Sequence, residues 1–192
     1  YSTDEVYGVA KNKAFIERSN LNPTNPYSAT KAAAEHIITA YANTYGIEYL
    51  MVRPSNNFGP RQHDEKFLPT IIRNLKAGTK VPIYGEGNQI REWTYVKDTA
   101  KATRFILENS RMNEIYNISS TFFLENIDLV KKVCDNTGMV FEDSIEFVED
   151  RLGHDFKYAV NSNKLQNLGF TVENNFDRNL EETIEHLSEV YA

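Results

Sequence analysis

Cysteine is almost absent: Cys134 is the single one in 192 residues. That excludes an intrachain disulfide framework and any zinc site built on cysteine pairs. Histidine is nearly as scarce. His36, His63, His154 and His186 lie far apart and show no ligand spacing such as H-E-x-x-H, so no metal site is expected. Long apolar runs are missing too, so no stretch reads as a membrane span or as the apolar core of a signal peptide. Basic charge is in the minority, 21 Lys plus Arg against 27 Asp plus Glu, for a net charge of -6. This balance argues against a dedicated nucleic-acid or membrane-surface role and leaves room only for a local basic pocket. Glycine-rich phosphate motifs are lacking as well. The nearest, YGEGNQIREW, supplies Gly85 and Gly87 but has Ile90 where the third glycine of a dinucleotide fingerprint would stand. There is no P-loop, no repeat and no low-complexity linker.

What remains is ordinary globular material, 41% hydrophobic and 25% charged. The length suits one domain, or a large piece of a bigger one. A cytoplasmic enzyme or binding protein is the expectation. The first residues read as the middle of a strand, which suggests a portion of a longer protein.

Alternation of apolar runs with helical periodicity predicts an α/β fold. A helix is expected over 28–45, with Ala33, Ile37, Tyr41 and Tyr45 on one apolar face and Gly46 as its cap. The run IEYLMVRP over 47–54 has the character of a strand buried on both faces, as in a parallel sheet. SNNFGPRQHDEK follows as a polar loop at the carboxyl end of that strand, where open α/β sheets bind ligands. Further helices are expected over 67–76, 98–109, 126–136, 162–168 and 176–191. Further strands are expected over 81–84, 91–96, 114–118, 145–148 and 157–160.

Two clusters carry chemistry. Tyr27 and Lys31 stand four apart, on one helix face. An ammonium beside a phenol favours the phenolate and makes a general base. Y-x-x-x-K is common by chance, and alone it is weak. Thr3, Asp4 and Glu5 place a hydroxyl before two adjacent carboxyls. Adjacent carboxyls oppose each other's ionisation, so one can stay protonated while the other is ionised, one acid and one base in a single site. A solvated loop with two acids is the bland alternative.

Taken together, STDEVYG and the later PYSATK resemble the extended short-chain dehydrogenase/reductase superfamily. Within it the match is to nucleotide-sugar 4,6-dehydratases, of the dTDP-glucose kind in particular. More specific stretches agree: RPSNNFGP, EKFLP, PIYGEGNQIREW, VKD, YNIS and GHDFKYAV. The resemblance runs from the first residue to the last helix. It implies the C-terminal part of an NAD-binding Rossmann fold, a parallel sheet, plus a smaller α/β substrate-binding subdomain. Residues 1–60 would complete the NAD-binding domain. Residues 61–192 would form mainly the nucleotide-sugar subdomain, with some segments returning to the Rossmann sheet. The glycine-rich N-terminal half, the main cradle of the cofactor, is not in this chain, so the chain is expected to be inactive alone.

The resemblance also implies roles. Tyr27 would take the proton of the sugar 4-hydroxyl as NAD accepts hydride from carbon 4. Lys31 would lower the Tyr27 pKa and hold the nicotinamide ribose, and Thr3 would bond the 4-oxygen. Glu5 would remove the proton on carbon 5, and Asp4 would protonate the departing 6-hydroxyl. Related epimerases eliminate nothing and lack the Asp-Glu pair. Asn56 and Asn57 would sit near nicotinamide and sugar diphosphate. Glu65, Lys66, Leu68 and Pro69 would line the nucleotide-sugar side, and Pro82, Ile83 and Tyr84 would border the base. Arg91 and Arg151 are candidate phosphate contacts. Asn117 and His154 would complete that pocket. Tyr84, Phe67 and Trp93 could stack on a nucleobase, although core packing is the plainer reading for Trp93. Two segments depart from the family: Leu152 replaces the usual proline before Gly-His, and RQHD over 61–64 is unlike the usual segment. The complete enzyme of this family is commonly a homodimer, through the helix bearing Tyr27 and a helix of the N-terminal half. A second reading is a binding module or pseudoenzyme for nucleotide sugars; the intact Thr3, Asp4, Glu5, Tyr27 and Lys31 weigh against it. UDP-sugar dehydratases and epimerases, and GDP or CDP as the nucleotide, stay open.

Overall fold

In the computed structural model, residues 1–11, 13–150 and 156–191 are described. Arg151 and His154, both expected in the site, lie outside these residues. Seven helices and seven strands are present among the described residues. The first ordered feature is a single 3-10 turn, Asp4–Tyr7, and the chain before it is not a strand. One hydrogen bond, from the Ser2 amide to the Val52 carbonyl at 2.8 Å, ties that segment to the neighbouring strand. The turn closes on Gly8 at φ 77, where an added Cβ would run into the Asn22 carbonyl oxygen. Only glycine meets both conditions without strain.

Helix α1, Pro26–Tyr45, begins two residues before its expected start. Asn25 caps it: its side chain accepts the Ser28 amide, and the Ser28 hydroxyl bonds back to the Asn25 backbone. Pro26 occupies the first turn, where its missing N–H costs nothing. Gly46, left-handed at φ 68, ends the helix as expected. The apolar face is another matter. Ser28, Ala32 and Glu35 are the buried residues, while Ile37, Tyr41 and Tyr45 are exposed. Periodicity identifies an apolar stripe but cannot say which stripe this chain covers.

Strands β1, Leu50–Pro54, and β5, Glu114–Ile118, pair in parallel. The expected strand thus starts three residues late. Strands β2, Asn56–Phe58, β4, Ile90–Tyr95, and β6, Phe123–Glu125, form a second sheet, with β2 parallel and β6 antiparallel to β4. Strands β3, Val81–Tyr84, and β7, Ile145–Val148, pair in parallel. The expected strand over 157–160 is reduced to isolated bridges of Lys157 with Ile90 and Val160 with Phe15.

Helices α2, Phe67–Lys76, α3, Val96–Asn109, α4, Asn126–Thr137, α6, Asn163–Leu168, and α7, Phe176–Val190, lie where expected to within two residues. A short α5, Phe141–Ser144, carries no strong pattern and was not foreseen. Helices α2, α4 and α7 bury Leu68, Ile71, Ile72, Leu129, Val133, Leu180 and Leu187 against β2, β3 and β4. A second core joins β1 and β5 to α3 and α6 through Val52, Ile118, Ala102 and Leu165. The fold is therefore mixed α/β with mostly parallel pairing, as the periodicity implied.

Candidate active site

The acidic turn is built from its first residue. Thr3, in extended conformation, caps it by accepting the Glu5 amide at 3.3 Å, and its hydroxyl donates to Asp4 Oδ1 at 3.3 Å. A tight turn sends adjacent side chains in different directions. Asp4 goes inward and is 2% exposed, while Glu5 is half-buried and accepts a bond from Asn25 Nδ2 at 3.3 Å. Burial first, then the charges of Glu92 and Glu5, push the Asp4 carboxyl from its ordinary 3.8 up to about 8, against the Thr3 hydrogen bond and the Arg91 charge. Asp4 is thus mostly protonated at neutral pH. The rise on Asp4 therefore comes first from its burial and only third from the adjacent carboxyl on which the sequence reading relied.

Glu92, on β4, is fully buried. Its Oε1 accepts the Ser119 hydroxyl and the Thr121 amide, the latter at 3.0 Å. Burial raises its pKa against these bonds. Nothing in the sequence singled out Glu92, yet it is the charge that most raises Asp4.

The turn is locked to α1 and the sheet from behind. Arg53 of β1 and Glu35 of α1 form a buried bidentate pair, with Nε donating to Oε1 at 2.9 Å and Nη2 to Oε2. Arg53 also donates to the Tyr7 hydroxyl, which donates to Asn117 Oδ1 at 2.9 Å. Asn117 is 0% exposed, and its amide donates to the carbonyls of Phe15 and Asn161. Its side-chain amide is bonded inside the protein at both ends.

A cavity of about 630 Å³ opens over this turn, within the ordinary range for small-molecule sites. Among the sequence-predicted residues, Thr3, Asp4, Glu5, Tyr27, Asn56, Asn57, Lys66, Phe67, Ile83, Tyr84, Arg91 and Trp93 line it. Asn56 and Asn57 do so from β2, a strand inside the stretch expected to be a loop. Trp93 serves both as core, edge-on to Phe58, and as wall. Lys31, Glu65, Leu68, Pro69, Pro82 and Asn117 are not brought to the wall. Leu68 is 0% exposed in the core, because the first turn of α2 points it there. Pro69 is buried beside it, and Pro82, one position further from the cavity end of β3, does not reach the wall that Ile83 and Tyr84 line.

Tyr27 is 54% exposed. Burial, then the Glu5 charge, raise its pKa, while a hydrogen bond with Thr3 opposes them. Lys31 is not among the groups that shift it. The Lys31 ammonium instead donates to the Tyr1 carbonyl at 2.7 Å. The two residues stand one helix turn apart, but the ammonium is engaged by the Tyr1 backbone. The expected lowering of Tyr27 by Lys31 is therefore corrected for this chain.

Other wall residues were not foreseen: Ser2, Asn25, Gln62, His63, Asn126 and Tyr158. Asn25 had a signal, since Asn before Pro at a helix start marks a cap. Tyr158 lies within GHDFKYAV but was given no role; it packs under the Arg91 guanidinium at 4.9 Å. Arg91 also donates to the carbonyls of Ile90 and Phe156, which fixes its head beside the cavity.

Against known proteins, residues 1–119 match the model of the NAD dependent epimerase/dehydratase family. The chain belongs to the NAD dependent epimerase/dehydratase family. Family relatives include the low-salt glycan biosynthesis protein Agl12 of Haloferax volcanii, 43% identical over 96% of this chain and 59% of the relative. The dTDP-glucose 4,6-dehydratase of Haemophilus influenzae is 38% identical over 95% of this chain and 58% of its own. Among solved members, DesIV, the dTDP-glucose 4,6-dehydratase of Streptomyces venezuelae with NAD bound, superposes with a TM-score of 0.94 at 36% identity, over 98% of this chain and 58% of that one. The chain thus spans a little under three fifths of each of these relatives. No described helix is long and apolar enough to cross a membrane. The family holds both epimerases and dehydratases, so membership alone does not choose the reaction.

Proposed function

We propose that the whole protein containing this chain dehydrates a nucleotide-activated hexose, dTDP-glucose, to the 4-keto-6-deoxy sugar. The observation that carries this reading is the pair of unequally buried carboxyls, Asp4 turned inward and Glu5 half-buried, in one cavity with Thr3 and Tyr27. An epimerase has no use for a buried acid paired with a second carboxylate. Elimination of water needs a proton taken and a proton given, and the two carboxyls differ in burial in that sense.

Whether these residues suit NAD can be tested on the cavity itself. Ser2 Oγ, Asn56 Oδ1 and Gln62 Oε1 are buried without a protein partner in residues of its wall. Such groups are rare, and a polar ligand satisfies them. The fit is to the nicotinamide end, which Tyr27, Asn56 and Asn57 would hold; Lys31, its ammonium on the Tyr1 carbonyl, stands off the wall. Bound NAD would supply a hydride acceptor at carbon 4 and a hydride donor at carbon 6. Tyr27 takes the proton of the 4-hydroxyl, and Thr3 bonds the 4-oxygen. Glu5 takes the proton on carbon 5, made acidic by the 4-keto group, and gives one back there when carbon 6 has received hydride. Asp4 gives its proton to the departing 6-hydroxyl, so water leaves. Lys66, Phe67, Ile83 and Tyr84 flank the nucleotide, and Arg91 faces its diphosphate.

In this reading residues 1–60 complete a Rossmann sheet and residues 61–192 form mainly the nucleotide-sugar side. The exposed Ile37, Ile38, Tyr41 and Tyr45 of α1 support a homodimer of the whole protein. A cytoplasmic location suits a nucleotide-sugar enzyme. The test is to supply dTDP-glucose and NAD to the whole protein and identify the product by NMR. The 4-keto-6-deoxy sugar supports the proposal, and the 4-epimer with no loss of water overturns it.

A further inference from the structure

The Asn25 side chain faces two ways. Its Oδ1 accepts the Ser28 amide at 2.9 Å and caps α1. A side-chain amide has one acceptor oxygen and one donor nitrogen, on opposite sides of Cγ. Once the helix amide fixes the oxygen, Nδ2 can only point outward, and it meets Glu5 Oε2 at 3.3 Å. The Ser28 hydroxyl, bonded to the Asn25 carbonyl at 3.0 Å, steadies the same cap. Tyr27 follows two residues later on the same turn of α1, and Asn25 and Glu5 both line the cavity. One amide thus joins the start of the helix that carries the phenol to the carboxylate beside it.

We propose that Asn25 is a positioning residue for Glu5, holding its carboxylate in fixed register with the first turn of α1 and Tyr27. The proposal rests on the dehydratase reading for its catalytic consequence, because it assigns Glu5 the proton on carbon 5. The contact itself does not depend on that reading. Serine and aspartate cap helices about as well as asparagine. Asn25→Ser therefore keeps the cap and deletes the donor to Glu5. Asn25→Asp keeps the cap and sets a carboxylate against Glu5.

The experiment has two arms. In the first, the whole protein is isotope-labelled, and the Glu5 side-chain carbon and the Asn25 amide are followed by NMR. The inference expects the Glu5 carboxyl signal to move in both variants with the melting temperature unchanged. A Glu5 signal indifferent to both substitutions overturns it, whatever reaction the protein runs. In the second arm, the whole protein turns over dTDP-glucose in D₂O. Exchange at carbon 5 is expected to slow roughly tenfold in Asn25→Ser, and further in Asn25→Asp, with KM little changed. Exchange at the unaltered rate in both variants overturns the positioning role. Failure of the unsubstituted protein to act on dTDP-glucose counts instead against the dehydratase reading, and leaves the first arm to decide the contact.

Discussion

Replacing Asp4 by asparagine should change how stability depends on pH more than it changes stability itself. The Asp4 carboxyl is pushed from 3.8 up to about 8 by burial, Glu92 and Glu5. Between those values the folded protein holds a proton on Asp4 that the unfolded chain has released. The folded state then binds more protons, so stability falls as pH rises through this window. Below about pH 4 both states are protonated, and above about pH 8 both are ionised, so the slope vanishes at either end. The gap between 3.8 and about 8 corresponds to a loss of up to about 6 kcal/mol across the window. That is comparable with the roughly 5–15 kcal/mol that stabilises a whole domain. The substituted amide is neutral throughout and close in shape to the protonated acid. The Asp4→Asn variant should match the parent near pH 4, exceed it increasingly up to about pH 8, and keep a constant lead above that. Urea unfolding at a series of pH values, followed by circular dichroism, measures this. Parallel curves for the two proteins would refute the claim that Asp4 is folded as a neutral acid.

Glu92→Gln removes the charge that most raises Asp4, so the Asp4 carboxyl should titrate at lower pH, read by carbon-detected NMR; an unmoved midpoint contradicts the coupling. Glu35→Ala strands the buried Arg53 guanidinium and should cost about 3–5 kcal/mol in urea unfolding. A loss below about 1 kcal/mol would mean that the pair contributes as little as an exposed one. Tyr27→Phe removes one hydrogen bond, with Thr3, from a half-exposed side chain and should cost no more than about 1 kcal/mol, while the whole protein loses oxidation at carbon 4. Retained oxidation would remove Tyr27 from the base role.

Much of this molecule was legible in its sequence where local rules govern. The helices of the second half followed from apolar spacing, as Leu180, Ile184 and Leu187 show in α7. Strands β3 and β7 were bounded by turn residues and fell where expected. What was not legible depends on tertiary placement. The α1 stripe is apolar yet exposed, because pattern reports a face and not its partner. Strands β2 and β6 are three residues each, too short for periodicity to register. The Arg53–Glu35 pair joins positions with no local relation. In the site, the motifs found Thr3, Asp4, Glu5 and Tyr27, whose neighbours in sequence are also neighbours in space. Glu92 escaped because its effect on Asp4 crosses from a sheet to a distant turn. Lys31 and Asn117 show the converse: a familiar motif neighbour can spend its bonds on the scaffold.

The division of labour between Asp4 and Glu5 is tested most directly by following carbon 5 exchange and water loss together, in D₂O, in the whole protein and two variants. The account predicts that Asp4→Asn still exchanges the carbon 5 proton but loses water far more slowly, whereas Glu5→Gln stops both. Exchange that stops in Asp4→Asn and persists in Glu5→Gln would contradict it.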